Sequence, residues 1–306
     1  MLRYFVKRSK SEDFEQVHSV PKENAWVRGS EVSAHELQIL ADTYEFDFNI
    51  LHDVLDKNEL PRVEVRGNEM YVFVRSVERG KHGKVTTTPV LLAVKGAIFM
   101  NVSTGPVEDM RLAAPNVLSH ATDAMSLLLA SFAGVVSEYE GLMQRSAHFI
   151  KDTGNRLRSH EVTNADFVRF VTVEDNLNEY RMNLNGMLVV AQRIKDELQK
   201  SKDKEAVEDI VLYIRQLLVA IDSHNQSITS IRNAYGTIAN NTLNHRMKTL
   251  TVLTLLVALP NVFYGMYGMN IALPFQDSPW AYGLIVGFTF VIITLIFLFA
   301  RRFRLF

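Results

Sequence analysis

The stretch that decides the fold lies near the end of the chain and reads TLTVLTLLVALPNVFYGMY at residues 249–267. A second apolar stretch, WAYGLIVGFTFVIITLIFLFA, follows at residues 280–300. Each has the ~20 residues that a helix needs to cross the ~30 Å hydrocarbon core of a bilayer. One such run also occurs in soluble cores, but two in succession predict transmembrane helices, the first at about 249–268 and the second at about 280–300.

The charges beside the two spans predict their orientation. The loop at 269–279 has neither Lys nor Arg. The flanking basic residues are Arg246, Lys248, Arg301, Arg302 and Arg304. By the positive-inside rule, both termini are expected in the cytoplasm and the loop outside. Residues 1–8 contain no apolar core of a signal peptide, which leads to the same expectation for the N-terminus.

Composition separates a soluble part from a membrane part. The chain has 33 basic and 34 acidic residues, which gives no indication of a nucleic-acid partner. About a quarter of residues 1–248 are charged, whereas Asp277 is the only charge at 249–300. There is no cysteine, so disulfides and thiolate metal sites are excluded, and the nine histidines show no metal-ligand spacing.

The soluble part is predicted to be an α+β domain, a mixed sheet with helices, at residues 1–118. Strand-like runs occur at 70–77, 87–94 and 97–102, with hairpin turns at 67–68 and 80–83. Residues 119–248 are predicted to be helical. Because turn residues are scarce from Asn164 onward, we expect one very long stalk helix that continues into the first span and exceeds ~100 Å. Residues 249–306 form the predicted transmembrane region.

A stripe of small and polar residues runs along the first span. Its members are spaced alternately by four and three, which places them on one face of a helix. They are Asn240, Asn244, Met247, Thr251, Thr254, Ala258, Asn261, Gly265 and Gly268. Inside lipid such a face must contact water or other helices. It therefore predicts either a pore enclosed by a ring of subunits or a packing face on which Thr251 and Thr254 bond to their own helix.

The first span ends with Gly268-Met269-Asn270, and the second begins near the pair Gly283 and Gly287. Gly268 and Asn270 suit a helix terminus, because both residue types tolerate left-handed geometry. The Gly-x-x-x-Gly pair predicts a close-packing face on the second span.

At these residues the sequence resembles the CorA family of magnesium and cobalt transporters, whose hallmark is Gly-Met-Asn at this place. Asn244, Met247, Leu250 and Thr251 are similar to the family's entry into the first span, and Pro260 stands where a proline is common. The closing Arg-Arg-Phe-Arg and the LPRVE segment at 60–64 agree as well. The resemblance covers nearly the whole chain.

The resemblance implies a funnel-shaped homopentamer whose first span lines the pore. Carried over by position, Gly268, Met269 and Asn270 form the selectivity filter. The implied pore-lining residues are Asn240, Asn244, Met247, Leu250, Thr251, Thr254, Ala258, Asn261 and Gly265. Ala258 stands where a bulkier gate residue can occur, so this constriction is expected to be wider. The outer loop offers one carboxylate, Asp277, as a metal-attracting group where many relatives have more.

The implied function is passive Mg²⁺ influx, also of Co²⁺ and Ni²⁺, through the plasma membrane of a bacterium or archaeon. Mg²⁺ is both cargo and regulator in this interpretation, and Asp209 is the expected regulatory ligand. Its partner stays open among Asp53, Asp56 and Glu59. A Zn²⁺ transporter of the related ZntB branch is the alternative. A third alternative is a membrane-anchored enzyme or sensor. The polar stripe and the lack of any nucleophile–base or cofactor motif argue against it.

Overall fold

The structure is a computed structural model that describes residues 2–6, 14–80, 83–105, 123–159, 162–270, 275 and 278–302. The chain divides into two compact units, Met1–Thr229 and Ser230–Phe306. The strands described are β1 (Leu2–Val6), β2 (Glu15–Val17), β3 (Ala25–Gly29), β4 (Arg62–Arg66), β5 (Glu69–Arg79), β6 (Val85–Lys95) and β7 (Ile98–Ser103). The helices described are α1 (Ala34–Tyr44), α2 (Phe48–His52), α3 (Ala124–Arg158), α4 (Asn164–Glu197), α5 (Ser201–Tyr267) and α6 (Ala281–Arg302).

The first unit is built on one mixed sheet with the strand order β2-β1-β3-β7-β6-β5-β4. Its parallel pair is β3 with β7, and the other neighbours are antiparallel. The predicted strands are present, and so is the hairpin turn at 67–68. The predicted turn at 80–83 includes residues 81–82, which lie outside the described residues. Gly67 supplies the left-handed residue of the β4–β5 turn, with φ of 60°, a conformation that glycine adopts without strain.

Both faces of the sheet are covered, which explains why the middle of β5 is buried continuously. On one face α1 and α2 contribute Leu37, Leu40 and Leu51 to a core that includes Tyr71 and Phe73 of β5. On the other face α3 packs across β5, β6 and β7. This unit therefore closes a hydrophobic core of its own.

The helical part differs from the predicted single helix after Asn164. The chain breaks between α4 and α5, where Leu198 is extended with φ of −77° and ψ of 140°. The segment has no Gly or Pro, so intrinsic helix propensity does not explain the break. Instead, Leu198 is buried at 7% exposure and the Lys200 ammonium lies 2.9 Å from the Asp123 carboxylate. Tertiary contacts thus override local preference here.

Helix α5 has 67 residues, and at ~1.5 Å per residue it measures about 100 Å. In the second unit its C-terminal part lies beside α6. By length and composition, α5 and α6 are each able to cross a membrane. The α+β unit, the long helix and the two apolar helices agree with the predicted fold class.

Candidate functional site

One side of the apolar part of α5 is occupied by α6. Val252 and Pro260 are buried, and the rings of Phe263 and Phe288 meet edge to face with centroids 5.0 Å apart. These α5 positions recur at the helical period, so they define the side of α5 that faces the second helix.

The predicted stripe lies on the opposite side of α5. At about 100° per residue, the positions at 251, 254, 258, 261 and 265 point away from the side that carries Val252 and Pro260. All nine stripe residues are exposed, and so is Leu250, the remaining predicted pore-lining residue. No described residue buries the stripe, although Asn244, Met247 and Thr251 also border a groove that α5 shares with α6.

The threonine hydroxyls of the stripe are bonded to their own helix. Thr251 Oγ1 donates to the Met247 carbonyl and Thr254 Oγ1 to the Leu250 carbonyl, each at 2.9 Å. A hydroxyl that donates once keeps its oxygen lone pairs free to accept hydrogen bonds. These side chains can therefore accept hydrogen bonds from water or from the shell of a hydrated cation. The bonds fit a packing face equally well, so they do not choose between the two interpretations.

The stripe ends at the residues predicted as the filter. Gly268, Met269 and Asn270 are all exposed. The Gly268 amide donates to the carbonyls of Tyr264 at 3.1 Å and Gly265 at 3.2 Å, which tightens the last helical turn. The helix ends at Tyr267, as the glycine at 268 suggests, and the φ of Gly268 lies outside the left-handed region.

The glycine pair of the second span does not pack against the first span. A Cβ added at Gly283 or Gly287 would find no atom within 4 Å. The buried side of α6, which includes Thr289, lies on the opposite face of that helix. The close-packing face that this pair predicts is therefore not used within one chain.

The predicted regulatory residues lie apart from the stripe, in the first unit. Asp209 is exposed on α5. Of its possible partners, Asp53 and Glu59 each lie 2.6 Å from the Arg62 guanidinium, and Asp56 accepts the Asn58 amide. Among the described residues no group of three His, Cys, Asp or Glu side chains could hold a metal ion. Asp277 lies outside the described residues.

The described part of the second unit carries no carboxylate, so the stripe presents only neutral oxygen and apolar groups to whatever lies beside it. Neutral amide and hydroxyl oxygens suit hard cations that keep their water, whereas Zn²⁺ prefers His, Cys and carboxylate ligands. The chemistry of the stripe therefore favours transient contact with a hydrated ion over tight binding.

A mixed α/β sheet unit, a very long helix and two apolar helices, the first with an uncharged polar face, are the features of a two-span membrane protein with a large soluble part. The chain belongs to the family described as CorA-like Mg²⁺ transporter protein, whose model matches residues 21–302.

Known relatives agree with this assignment. The cobalt/magnesium transport protein CorA of Methanocaldococcus jannaschii is 20% identical, over 90% of each chain. The complete structure of the CorA magnesium transporter from that organism superposes with a TM-score of 0.86 at 18% identity, over 99% of this chain and 98% of that one. The ZntB cytoplasmic domain from Vibrio parahaemolyticus has a TM-score of 0.64 at 8% identity, over 78% of this chain and 98% of that one. At these identities the two structures show a shared fold.

Proposed function

We propose that this chain is one subunit of a passive Mg²⁺ influx channel, also open to Co²⁺ and Ni²⁺, whose pore is lined by the stripe of α5. The observation that carries the proposal is the stripe itself. It is neutral and exposed along its whole length, its residues from Thr254 onward lie opposite the partner span, and Asn270 follows two residues after its last member, Gly268. One helix cannot enclose a pore, so the proposal requires a symmetric ring of copies, which we take as a homopentamer.

The physical chemistry of Mg²⁺ fits such a lining. Mg²⁺ loses its water shell reluctantly and is usually handled with several waters retained. The side-chain carbonyls of an Asn270 ring accept hydrogen bonds from those waters without the tight grip of a carboxylate. A divalent ion gains about 4.6 kcal/mol per 100 mV on entering a negative compartment, so no energy-coupling machinery is required.

We also propose how the parts of the chain divide this work. Residues 1–118 and 119–248 form the cytoplasmic sensing part, with both termini cytoplasmic, and residues 249–306 form the pore region. Asp209 binds regulatory Mg²⁺ between neighbouring copies and holds the pore closed when internal Mg²⁺ is high. The exposure of its carboxylate, away from any described ion pair, supports this role.

The test is uptake of Mg²⁺, Co²⁺ and Zn²⁺ into proteoliposomes by the wild type and by Asn270→Ala. Loss of one hydrogen bond to a charged species per subunit corresponds to about 1.5–3 kcal/mol, so Mg²⁺ uptake should fall at least about tenfold. Asn241→Ala makes the same chemical change on α5 outside the stripe and should retain uptake. Liposomes loaded with Mg²⁺ test the gate, since Asp209→Asn should escape the inhibition that Glu205→Gln retains.

Zn²⁺ uptake without Mg²⁺ uptake would assign the chain to the Zn²⁺ alternative. Equal Mg²⁺ uptake by Asn270→Ala and the wild type would contradict the proposed filter. Absence of uptake of any ion by the wild type would contradict transport as the function.

A further inference from the structure

A groove of about 650 Å³ lies between α5 and α6 within the second unit. Five apolar residues line it, namely Met247, Val252, Leu255, Ile296 and Phe299, and His245 and Lys248 line it beyond Val252. Asn241, Asn244 and Thr251 line it as well, so with Met247 three residues of the stripe border one edge of the groove. A volume of this size is in the range of small-molecule sites. The groove therefore combines an apolar wall with a basic end.

The basic end lies at one depth in the helix pair. Phe263 contacts Phe288, and 11 residues away from that contact along each antiparallel helix stand Val252 and Phe299, which share the groove. Continuing in the same direction, Lys248 and Arg302 follow within about one turn of ~5.4 Å. Arg302 stands three residues after Phe299, so it lies on the neighbouring side of α6.

The described part of the second unit holds no carboxylate beside these cations. The sequence has neither Asp nor Glu between Asp222 and Asp277, and none after Asp277. Asp222 precedes Lys248 by 26 residues, about 39 Å along a helix. A second copy in a symmetric ring presents the same residues at the same depth, so it adds positive charge there and no negative charge. The described residues of the second unit, in one copy or in several, therefore leave these cations without a counter-charge.

We propose that this groove binds an anionic phospholipid of the surrounding membrane. The acyl chain lies along Val252, Leu255, Ile296 and Phe299, and the phosphate is held by Lys248 and Arg302, with His245 offering a ring N–H. Clusters of Lys and Arg at the membrane end of a span attract anionic lipids at about 1 kcal/mol per charge. Soluble phosphate has no apolar part that could contact the apolar wall of the groove, so the proposed ligand is a lipid.

The test uses purified full-length protein in detergent, with bound lipid counted by native mass spectrometry. The probes are phosphatidylglycerol, phosphatidylcholine and inorganic phosphate. The wild type should retain phosphatidylglycerol in preference to phosphatidylcholine. The variant Lys248→Gln/Arg302→Gln should bind phosphatidylglycerol about 25-fold more weakly, or about fivefold per charge removed.

The matched control is Arg246→Gln/Arg301→Gln, which removes the same charge at the same depth from the sides of α5 and α6 that face away from the groove. It should weaken binding less than about fivefold. Equal losses in the two double variants would show diffuse surface attraction and overturn the proposal. So would displacement of the lipid by millimolar inorganic phosphate, or failure of the wild type to prefer phosphatidylglycerol.

An apolar pair tests the acyl contact independently. Leu255 lines the groove, whereas Leu253 is exposed on another side of α5. Leu255→Ala should weaken phosphatidylglycerol binding by about threefold to fivefold, since three buried methylene-sized groups are lost only in part. Leu253→Ala should leave it unchanged. Equal effects of the two variants would contradict a lipid seated in this groove.

Discussion

The units Met1–Thr229 and Ser230–Phe306 differ in how far they cover their apolar and polar side chains. In the first unit Phe73 is 1% exposed, whereas Phe290 in the second is 67% exposed. The guanidinium of Arg75, buried in the first unit, donates to Thr87 and to the backbone carbonyls of Lys57 and Glu59. In the second unit the stripe and most apolar side chains stay uncovered.

This difference indicates which surroundings the apolar and polar groups of each unit contact. A soluble unit must bury its apolar surface and satisfy its polar groups internally. The second unit leaves both kinds of group to molecules outside the single chain. Apolar side chains there require lipid, and a polar face on a membrane helix requires water or other helices. The first unit thus closes its core within one chain, although Val168, Val189 and Val219 stay exposed there, whereas the second unit leaves most of its apolar side chains uncovered.

The largest expected effect contrasts two phenylalanines. Phe73→Ala should destabilise the first unit by about 3–5 kcal/mol, because a buried ring leaves a cavity. Phe290→Ala should change stability by less than about 0.5 kcal/mol in detergent, since its ring is exposed. Thermal unfolding of the full-length protein in detergent, followed by circular dichroism, measures both. Comparable destabilisation by the two variants would remove the contrast between the units.

A smaller effect contrasts two helical glycines. A Cβ added at Gly186 of α4 would lie 3.0 Å from Pro61 Cγ, whereas one added at Gly236 of α5 would meet no atom within 4 Å. Alanine gains about 1 kcal/mol of helix propensity at both sites, but overpacking costs about 1–3 kcal/mol at the first. Gly186→Ala should therefore destabilise by about 1 kcal/mol, and Gly236→Ala should stabilise by up to about 1 kcal/mol.

The same thermal unfolding assay checks this pair. Stabilisation by Gly186→Ala would mean that Pro61 moves aside freely, so that the first unit packs more loosely than described. Destabilisation by Gly236→Ala would mean that a molecule outside the single chain approaches α5 closely at that position.

Sequence pattern predicts those parts of the molecule that depend on periodicity and composition. The two spans follow from uncharged length, and the hairpins around β5 and β6 follow from turn residues between apolar runs. The break at Leu198 could not be predicted, because it depends on the burial of Leu198 and on the ion pair between Lys200 and Asp123, which are 77 residues apart in sequence.

The candidate site also has one part that the sequence predicts and another that it does not. The stripe is visible in sequence because its spacing is helical, and the structure adds that α6 lies on the other side of α5. The groove at its edge could not be predicted, because it joins residues between Asn241 and Leu255 with Ile296 and Phe299 of the second helix, and the sequence does not state how the two helices are aligned. His245 is predicted only as a stalk residue, since nothing in its local sequence marks the groove.

The most direct test of the stripe as a water-filled path is accessibility to a membrane-impermeant thiol reagent. The chain contains no cysteine, so single substitutions need no background correction. Thiols react as thiolates, which form in water and are suppressed in apolar surroundings. Thr254→Cys and Ala258→Cys should react at least about tenfold faster than Val252→Cys and Leu253→Cys in proteoliposomes, and their modification should block Mg²⁺ uptake.

Leu253 is the matched control, because it is 56% exposed in the single chain yet lies off the stripe. Fast reaction confined to the two stripe positions, slowed by added Mg²⁺, is the result that the account predicts. Equal reactivity at all four positions, or no reaction at the stripe while uptake continues, would contradict it.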